Sequence, residues 1–238
     1  MPKSSRTLIA ALALLLSIAF AISPFFVPSF AGFDPNQFPI PQDNPPAQPA
    51  GYAFSIWGLI YLWLIVGLGY GLLRAPRDAQ WHDMQVPLCL SLAVGTTWLA
   101  VAVMSPVWAA VLIWIMLVTA LLALFLSPVE DPLWAAAPVG LYAGWLSAAS
   151  CVSLALLAAG YGYLDGQTAA LVFVGLAAAL GLIIQTALGR TPTYGIAVIW
   201  GLMGVVVTNW GETPVVAYLA LAGSVIVALP TLRAFRRG

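Results

Sequence analysis

Residues 107–127, VWAAVLIWIMLVTALLALFLS, form an apolar run that decides the fold. No charged side chain interrupts the run, and a helix of this length spans the roughly 30 Å hydrocarbon core of a bilayer. Other segments approach the same length. The predicted spans cover about residues 7–28, 53–73, 84–104, 107–127, 134–158, 168–189, 192–209 and 214–232. The sequence therefore predicts an all-α fold, a polytopic membrane bundle of about eight transmembrane helices.

The composition of the chain supports lipid as its solvent. Hydrophobic residues make up 62% of the 238 residues and charged residues 7%, with a mean hydropathy of +0.99. So few polar side chains cannot cover the surface of a soluble globule. The formal net charge is zero and no basic stripe or acidic tail is present, so no nucleic-acid partner is expected.

The basic residues all fall on one side of the membrane when the spans are threaded alternately from a cytoplasmic start. They are Lys3, Arg6, Arg74, Arg77, Arg190, Arg233, Arg236 and Arg237. The positive-inside rule then predicts a multi-pass protein of the cell inner (plasma) membrane with both termini in the cytoplasm. The first span could instead be a secretory signal ending near residues 19–21, but its apolar run continues past that point, which favours an anchor.

Carboxylate, histidine and arginine side chains are absent from the predicted spans, which argues against ion-coupled transport. The only histidine, His82, lies at a span edge beside Asp83, and the two cysteines, Cys89 and Cys151, lie in separate spans. We therefore predict no catalytic residue and no metal site. The uncharged polar residues at depth are expected mainly to form hydrogen bonds between helices; they include Thr96, Thr97, Thr119, Ser147, Ser150, Ser153, Gln185 and Thr186.

Prolines and aromatic residues give the chain two further features. The loop at residues 29–51 carries six prolines among Phe30, Phe33 and Phe38, which favours an extended cover over the mouth of the bundle; an ordinary interfacial linker is the alternative. Of ten tryptophans, three lie near span ends and suit an interfacial belt: Trp81, Trp134 and Trp210. The other seven lie deeper, where each indole needs a hydrogen-bond partner or a cavity to line: Trp57, Trp63, Trp98, Trp108, Trp114, Trp145 and Trp200.

Two segments resemble one known family. Pro45-Pro46 followed by residues 51–61, GYAFSIWGLIY, is similar to the proline-rich loop and second helix of the tryptophan-rich sensory proteins, also called translocator proteins or peripheral-type benzodiazepine receptors. Residues 141–153, LYAGWLSAASCVS, resemble that family's fifth helix, P-Y-x-x-W-x-x-x-A-x-x-x-N. Tyr142, Trp145 and Ala149 match this pattern, whereas Leu141 replaces its proline and Ser153 its asparagine.

The resemblance implies an extended, divergent branch of the family, like longer bacterial inner-membrane members. Residues 1–160 would form the five-helix translocator-like region, and residues 161–238 would add three transmembrane helices. Family members bind porphyrins and other flat hydrophobic molecules under the loop between the first two helices. The implied ligand-binding residues are Phe54, Trp57, Tyr61, Tyr142, Trp145 and Ala149.

Three functions remain open from the sequence. The leading one is an integral membrane binding protein, of sensor or transporter type, for a porphyrin, another tetrapyrrole or a similar flat apolar ligand; no obligatory cofactor is expected. The alternative is a structural or assembly subunit of a larger membrane complex, for example a pigment-containing one. Besides the lipid bilayer and the ligand, the partners considered are a second copy of the chain, as a homodimer, or a larger membrane complex. A third is a facilitator for neutral solutes, which would need a continuous polar lining. Because some family members are proposed to degrade porphyrin in light, enzyme activity stays open, with Trp57 and Trp145 as candidates.

Overall fold

The chain folds into a bundle of helices. The computed structural model describes residues 3–27, 32–74 and 78–236, and no strand occurs in these ranges. The long helices are α1 (Lys3–Ile22), α2 (Ile56–Arg74), α3 (Ala79–Ala102), α4 (Pro106–Phe125), α5 (Ala137–Gly160), α6 (Gly166–Leu188), α7 (Thr193–Asn209) and α8 (Pro214–Phe235). Seven of them are long and apolar enough to cross a membrane, while α7 is apolar but has 17 residues. The prediction of an all-α polytopic membrane bundle is confirmed.

Local sequence signals set the helix ends. The side chains of Asp78, Ser105 and Asp165 accept hydrogen bonds from backbone N–H groups in the first turns of α3, α4 and α6. Hydrogen bonds from Thr168 hold the pKa of the Asp165 carboxyl below its usual value. Gly189 ends α6 with a φ of +63°, a left-handed conformation that glycine adopts without strain.

Helix α5 is the central helix of the bundle. It is buried on nearly all sides and packs against α2, α4, α6 and α7. Helix α1 packs against α2 and α3, and α8 packs against α6 and α7. One continuous hydrophobic core joins the first five helices to the last three. The division of the chain at residue 160 stays a prediction.

Small residues let α5 and α7 approach closely. A Cβ atom added at Gly144 would overlap the Tyr194 carbonyl oxygen and lie 2.9 Å from Ala197 Cβ. Close backbone approach of this kind is the usual basis of helix association in lipid, where hydrophobic burial drives little. Helices α5 and α7 therefore cross this closely only because residue 144 has no side chain.

Of the eight polar residues expected mainly to join helices, Ser147 and Gln185 do so. Thr96, Thr97 and Thr119 instead donate to carbonyls of their own helices. The Tyr194 and Ser147 hydroxyls are 2.9 Å apart and link α7 to α5. The Gln185 amide accepts from the Gly195 N–H and donates to the Arg190 carbonyl, at 2.8 and 2.9 Å. These groups are hydrogen-bonded within the protein.

Arg190 donates hydrogen bonds to carbonyl groups at the C-terminal end of α4. Arg190, in the α6–α7 connection, donates to the carbonyl of Leu124 in the last turn of α4 at 3.4 Å and to that of Ser127, just past the helix, at 3.1 Å. A cation at a helix C-terminus is favoured by the helix dipole. Burial lowers the pKa of the Arg190 guanidinium from its usual value.

The interfacial-belt prediction was wrong for Trp81. Its side chain is fully buried, and its indole N–H donates to the Asp131 carboxylate at 2.9 Å. The Tyr70 hydroxyl lies 3.2 Å from the other Asp131 oxygen. A carboxylate from the α4–α5 connection therefore provides the polar partner that a membrane interface would otherwise supply. His82, in the next position of α3, is also buried.

The described part of the predicted loop, residues 32–50, lies across one end of the bundle; we call it the proline-rich segment. Phe38 is buried against Gly160, and Phe30 lies outside the described residues. Hydrogen bonds of 2.8 to 3.1 Å join the segment to the ends of α3, α5 and α7, through the pairs Gln37–Ala102, Ile40–Gly160, Pro46–Asn209 and Ala50–Gly204. The segment is thus fastened over the bundle, as the extended-cover interpretation expects.

Candidate ligand-binding site

An aromatic cluster forms where α1, α2 and α5 meet. Trp57 and Tyr61 lie one turn apart on α2, and their rings stack with centroids 5.3 Å apart and planes at 20°. The Phe20 ring of α1 packs edge-on against both, at 5.6 and 5.0 Å. Edge-to-face and offset-stacked pairs are the favoured geometries of aromatic rings, so these contacts stabilise the cluster.

Trp145 of α5 closes the other side of the cluster. Its ring is edge-on to Trp57 at 6.3 Å and to Phe54 at 5.8 Å. Phe54 belongs to the short 3₁₀ helix Gly51–Ser55, which leads directly into α2. The end of the proline-rich loop therefore places one ring of the cluster.

These rings surround a cavity of about 260 Å³, which we call the aromatic cavity. Of the six residues implied by the family resemblance, the five that line it are Phe54, Trp57, Tyr61, Trp145 and Ala149. The other lining residues are Phe20, Pro24, Trp98, Leu99, Ile113, Met116 and Leu146. The structure thus brings most of the sequence-derived set to one apolar space.

Tyr142, the sixth residue, lies behind the wall. It is fully buried, and its hydroxyl is 2.9 Å from Ser91 Oγ. Because Ser91 donates its only hydroxyl proton to the Met116 carbonyl, at 2.8 Å, Tyr142 is the donor to Ser91. The Tyr142 ring packs against Phe20 and Trp57. Tyr142 is therefore placed to support the aromatic rings rather than to contact a ligand.

A second cavity of about 70 Å³ lies directly under the proline-rich segment; we call it the loop cavity. It shares part of its wall with the aromatic cavity, through Phe54, Trp98, Ile113, Trp145 and Ala149. The rest of its wall comes from the segment, from α5 and from α6 and α7, namely Gly32, Phe33, Ala47, Gln48, Pro49, Ala148, Val152, Ser153, Leu156, Phe173, Val174, Ala177, Gly201, Leu202 and Val205. The space under the loop and the space beside Trp57 are therefore two adjoining cavities.

Both walls are largely apolar, with Gln48 and Ser153 as the polar side chains of the loop cavity among the described residues. No described residue that lines either cavity is acidic or basic. Within the described ranges, no group of three or more His, Cys, Asp and Glu side chains is placed to hold a metal ion. Such walls suit burial of a neutral, flat hydrophobic molecule through contact area and ring stacking.

Sequence reasoning missed two aromatic wall residues. Trp98 was recognised only as an interior tryptophan; its N–H donates to the Ala109 carbonyl at 2.8 Å, and its ring separates the two cavities. Phe20 carried no signal beyond its place in an apolar run, because its approach to α2 depends on how α1 crosses the bundle. Helical spacing alone could not predict either contact.

Comparison with known families places the chain. A family profile described as TSPO-like protein matches residues 40–233. The chain belongs to the TSPO-like protein family. This membership confirms the resemblance seen in residues 51–61 and 141–153. The TSPO-like match begins within the proline-rich segment and continues through α6, α7 and most of α8. Neither the curated proteins nor the solved structures include a match to this chain.

Proposed function

We propose that this multi-pass TSPO-like protein binds a flat hydrophobic ligand, such as a porphyrin or another tetrapyrrole, and acts as a sensor or transporter for it. The supporting observation is the aromatic cavity, where Trp57 and Tyr61 of α2 meet Trp145 of α5 around an uncharged space. Stacking on indole rings and removal of apolar area from water or lipid headgroups would supply the affinity. No residue is assigned a catalytic role.

The size of the site bears on how such a ligand fits. Pockets for drug-sized ligands usually measure about 300–1,000 Å³, and the aromatic cavity alone is about 260 Å³. A tetrapyrrole therefore requires more room than the aromatic cavity alone offers. The adjoining loop cavity is a source of that room, because the two cavities share Phe54, Trp98, Ile113, Trp145 and Ala149 as wall residues.

The same proposal includes an orientation. Arg190 lies between α6 and α7, and Arg233 in the last turn of α8, while the proline-rich segment covers the ends of α3, α5 and α7. Placing the basic residues in the cytoplasm puts the segment on the outer side of an inner (plasma) membrane, as in bacteria. Cysteine-accessibility labelling of single-cysteine variants in the segment and the α6–α7 connection would test this assignment.

The direct test of the proposed function is a fluorescence titration of the detergent-purified protein. Saturable quenching of tryptophan fluorescence by protoporphyrin, without equal quenching by a non-planar apolar control, is the expected result. Equal quenching by both compounds, or by neither, would contradict the proposal. It would favour the assembly-subunit alternative, for which co-purifying partners would be sought.

Trp145→Phe should weaken porphyrin binding by more than about 1 kcal/mol, because the shorter ring leaves part of the shared wall without contact. Trp145 is buried and lies between the two cavities. Binding would be followed through the porphyrin's own fluorescence, so that loss of one tryptophan does not alter the signal.

The matched control is Trp108→Phe, the same change at a residue that is 63% exposed and lines neither cavity. Its affinity should equal that of the wild-type protein. If both variants bind porphyrin like the wild type, Trp145 is a packing residue and the site has been misplaced.

A further inference from the structure

Two serines of α5 have buried hydroxyls with no hydrogen-bond partner among the described residues: Ser150 and Ser153. Ser150 is fully buried and Ser153 is 3% exposed. A buried hydroxyl without a partner is costly, and native proteins rarely retain one without a reason. The two serines differ in one respect, since Ser153 lines the loop cavity and Ser150 lines neither cavity.

Ser153 lines the loop cavity, close to a residue that borders both cavities. Ala149 borders both cavities, and Ser153 lies one helical turn further along α5 towards the proline-rich segment. Side chains four residues apart on a helix are separated by about 5–6 Å. A chain of about four carbon atoms would therefore reach from the aromatic cavity to the Ser153 hydroxyl.

We infer that the loop cavity is a second lobe of the binding site, which takes a short apolar arm carrying one neutral hydrogen-bonding group and pairs that group with Ser153 Oγ. This inference rests on the proposed function, because the arm belongs to a ligand whose flat body lies in the aromatic cavity. The lobe depends on Phe173 and Ala177 of α6 and on Gly201 and Val205 of α7. It is thus a contribution of the last three helices to recognition.

The residues that line the loop cavity determine which charge the arm can carry. An ionised carboxylate in this lobe would meet no basic side chain among the described lining residues, and burying an unpaired charge is strongly unfavourable. A hydroxyl, ketone or amide can instead exchange a hydrogen bond with Ser153, which both donates and accepts. The ligand class is therefore a flat apolar body with a neutral polar arm.

The test uses three pyrene probes that share a flat body: pyrenebutanol, butylpyrene and pyrenebutyrate. Energy transfer from tryptophan to pyrene reports binding to the full-length protein in detergent. Ser153→Ala should weaken pyrenebutanol binding about fivefold and leave butylpyrene binding unchanged, since a net hydrogen bond has that effect on an equilibrium. Pyrenebutyrate, ionised at neutral pH, should bind most weakly to the wild type and be insensitive to the change.

Ser150→Ala is the matched control, because it removes an equally buried, unpartnered hydroxyl three residues away on the same helix. It should leave the affinity for all three probes unchanged. Both variants should fold, since replacing an unpartnered buried hydroxyl by a hydrogen atom removes a polar group from an apolar site. Comparing each variant with the wild type for one probe cancels differences in micelle partition.

The outcomes separate this inference from the proposed function. Saturable binding of the probes with no selective effect of Ser153→Ala, or an equal effect of Ser150→Ala, would overturn the inference and leave the flat-ligand site intact. Absence of saturable binding by any pyrene probe would contradict both. A selective loss for pyrenebutanol in Ser153→Ala alone supports the second lobe.

Discussion

Gly144→Val should lower the free energy of unfolding by about 3 kcal/mol, the upper part of the usual range for overpacking. The added side chain would collide with the Tyr194 carbonyl and approach Ala197 on α7. Backbone atoms cannot move aside as a flexible side chain can, so α5 and α7 would have to separate. Unfolding of the purified protein in mixed micelles, followed by circular dichroism, would measure the loss.

Gly69→Val is the control for this substitution. Gly69 lies within α2, and a Cβ atom at that position would meet no atom within 4 Å. The free energy of unfolding of Gly69→Val should differ from that of the wild type by no more than about 0.5 kcal/mol, as for most substitutions away from tight packing. Equal stability of the two variants would show that the close α5–α7 approach does not hold the bundle together.

Asp131→Ala should be the second strongly destabilising change, with a loss of about 3 kcal/mol. The carboxylate accepts from the Trp81 indole and lies within hydrogen-bonding distance of the Tyr70 hydroxyl. Since Trp81 is fully buried, its N–H would be left without the acceptor that the carboxylate provides. Thermal unfolding in detergent, compared with the wild type, would give the size of the effect.

Two further variants test whether the loss of stability in Asp131→Ala comes from the hydrogen bonds of this carboxylate. Glu130→Ala removes the neighbouring, exposed carboxylate and should alter stability by less than about 0.5 kcal/mol. Asp131→Asn keeps an acceptor oxygen and should recover part of the loss. If Asp131→Ala and Glu130→Ala unfold at the same temperature, the hydrogen bonds at Asp131 contribute nothing to folding.

Much of the fold was predictable because lipid imposes a simple length rule. The predicted span 192–209 corresponds to α7 at Thr193–Asn209, and the span 214–232 to α8 at Pro214–Phe235. The buried state of Trp81 was not predictable, because its partner Asp131 lies in a connection fifty residues away. Apolar length locates helices, but it does not say which helix ends face one another.

The candidate site was predictable only within single helices. Helical spacing puts Trp57 and Tyr61 on one face, and both line the aromatic cavity. Tyr142 and Trp145 also share a face by spacing, yet Tyr142 is held behind the wall by Ser91 of α3. The loop cavity could not be predicted, since its wall combines residues from α5, α6 and α7 with the proline-rich segment. Its existence depends on how those elements pack.

The central position of α5 has a consequence for biosynthesis. Proteins are made from the N-terminus, so α5 enters the membrane before the helices that cover it. Until α7 arrives, the bare backbone at Gly144 and the hydroxyl at Ser147 face lipid or an insertion factor. The loop cavity, whose wall includes Phe173 of α6 and Gly201 of α7, is therefore complete only after the ribosome has delivered the C-terminal third of the chain.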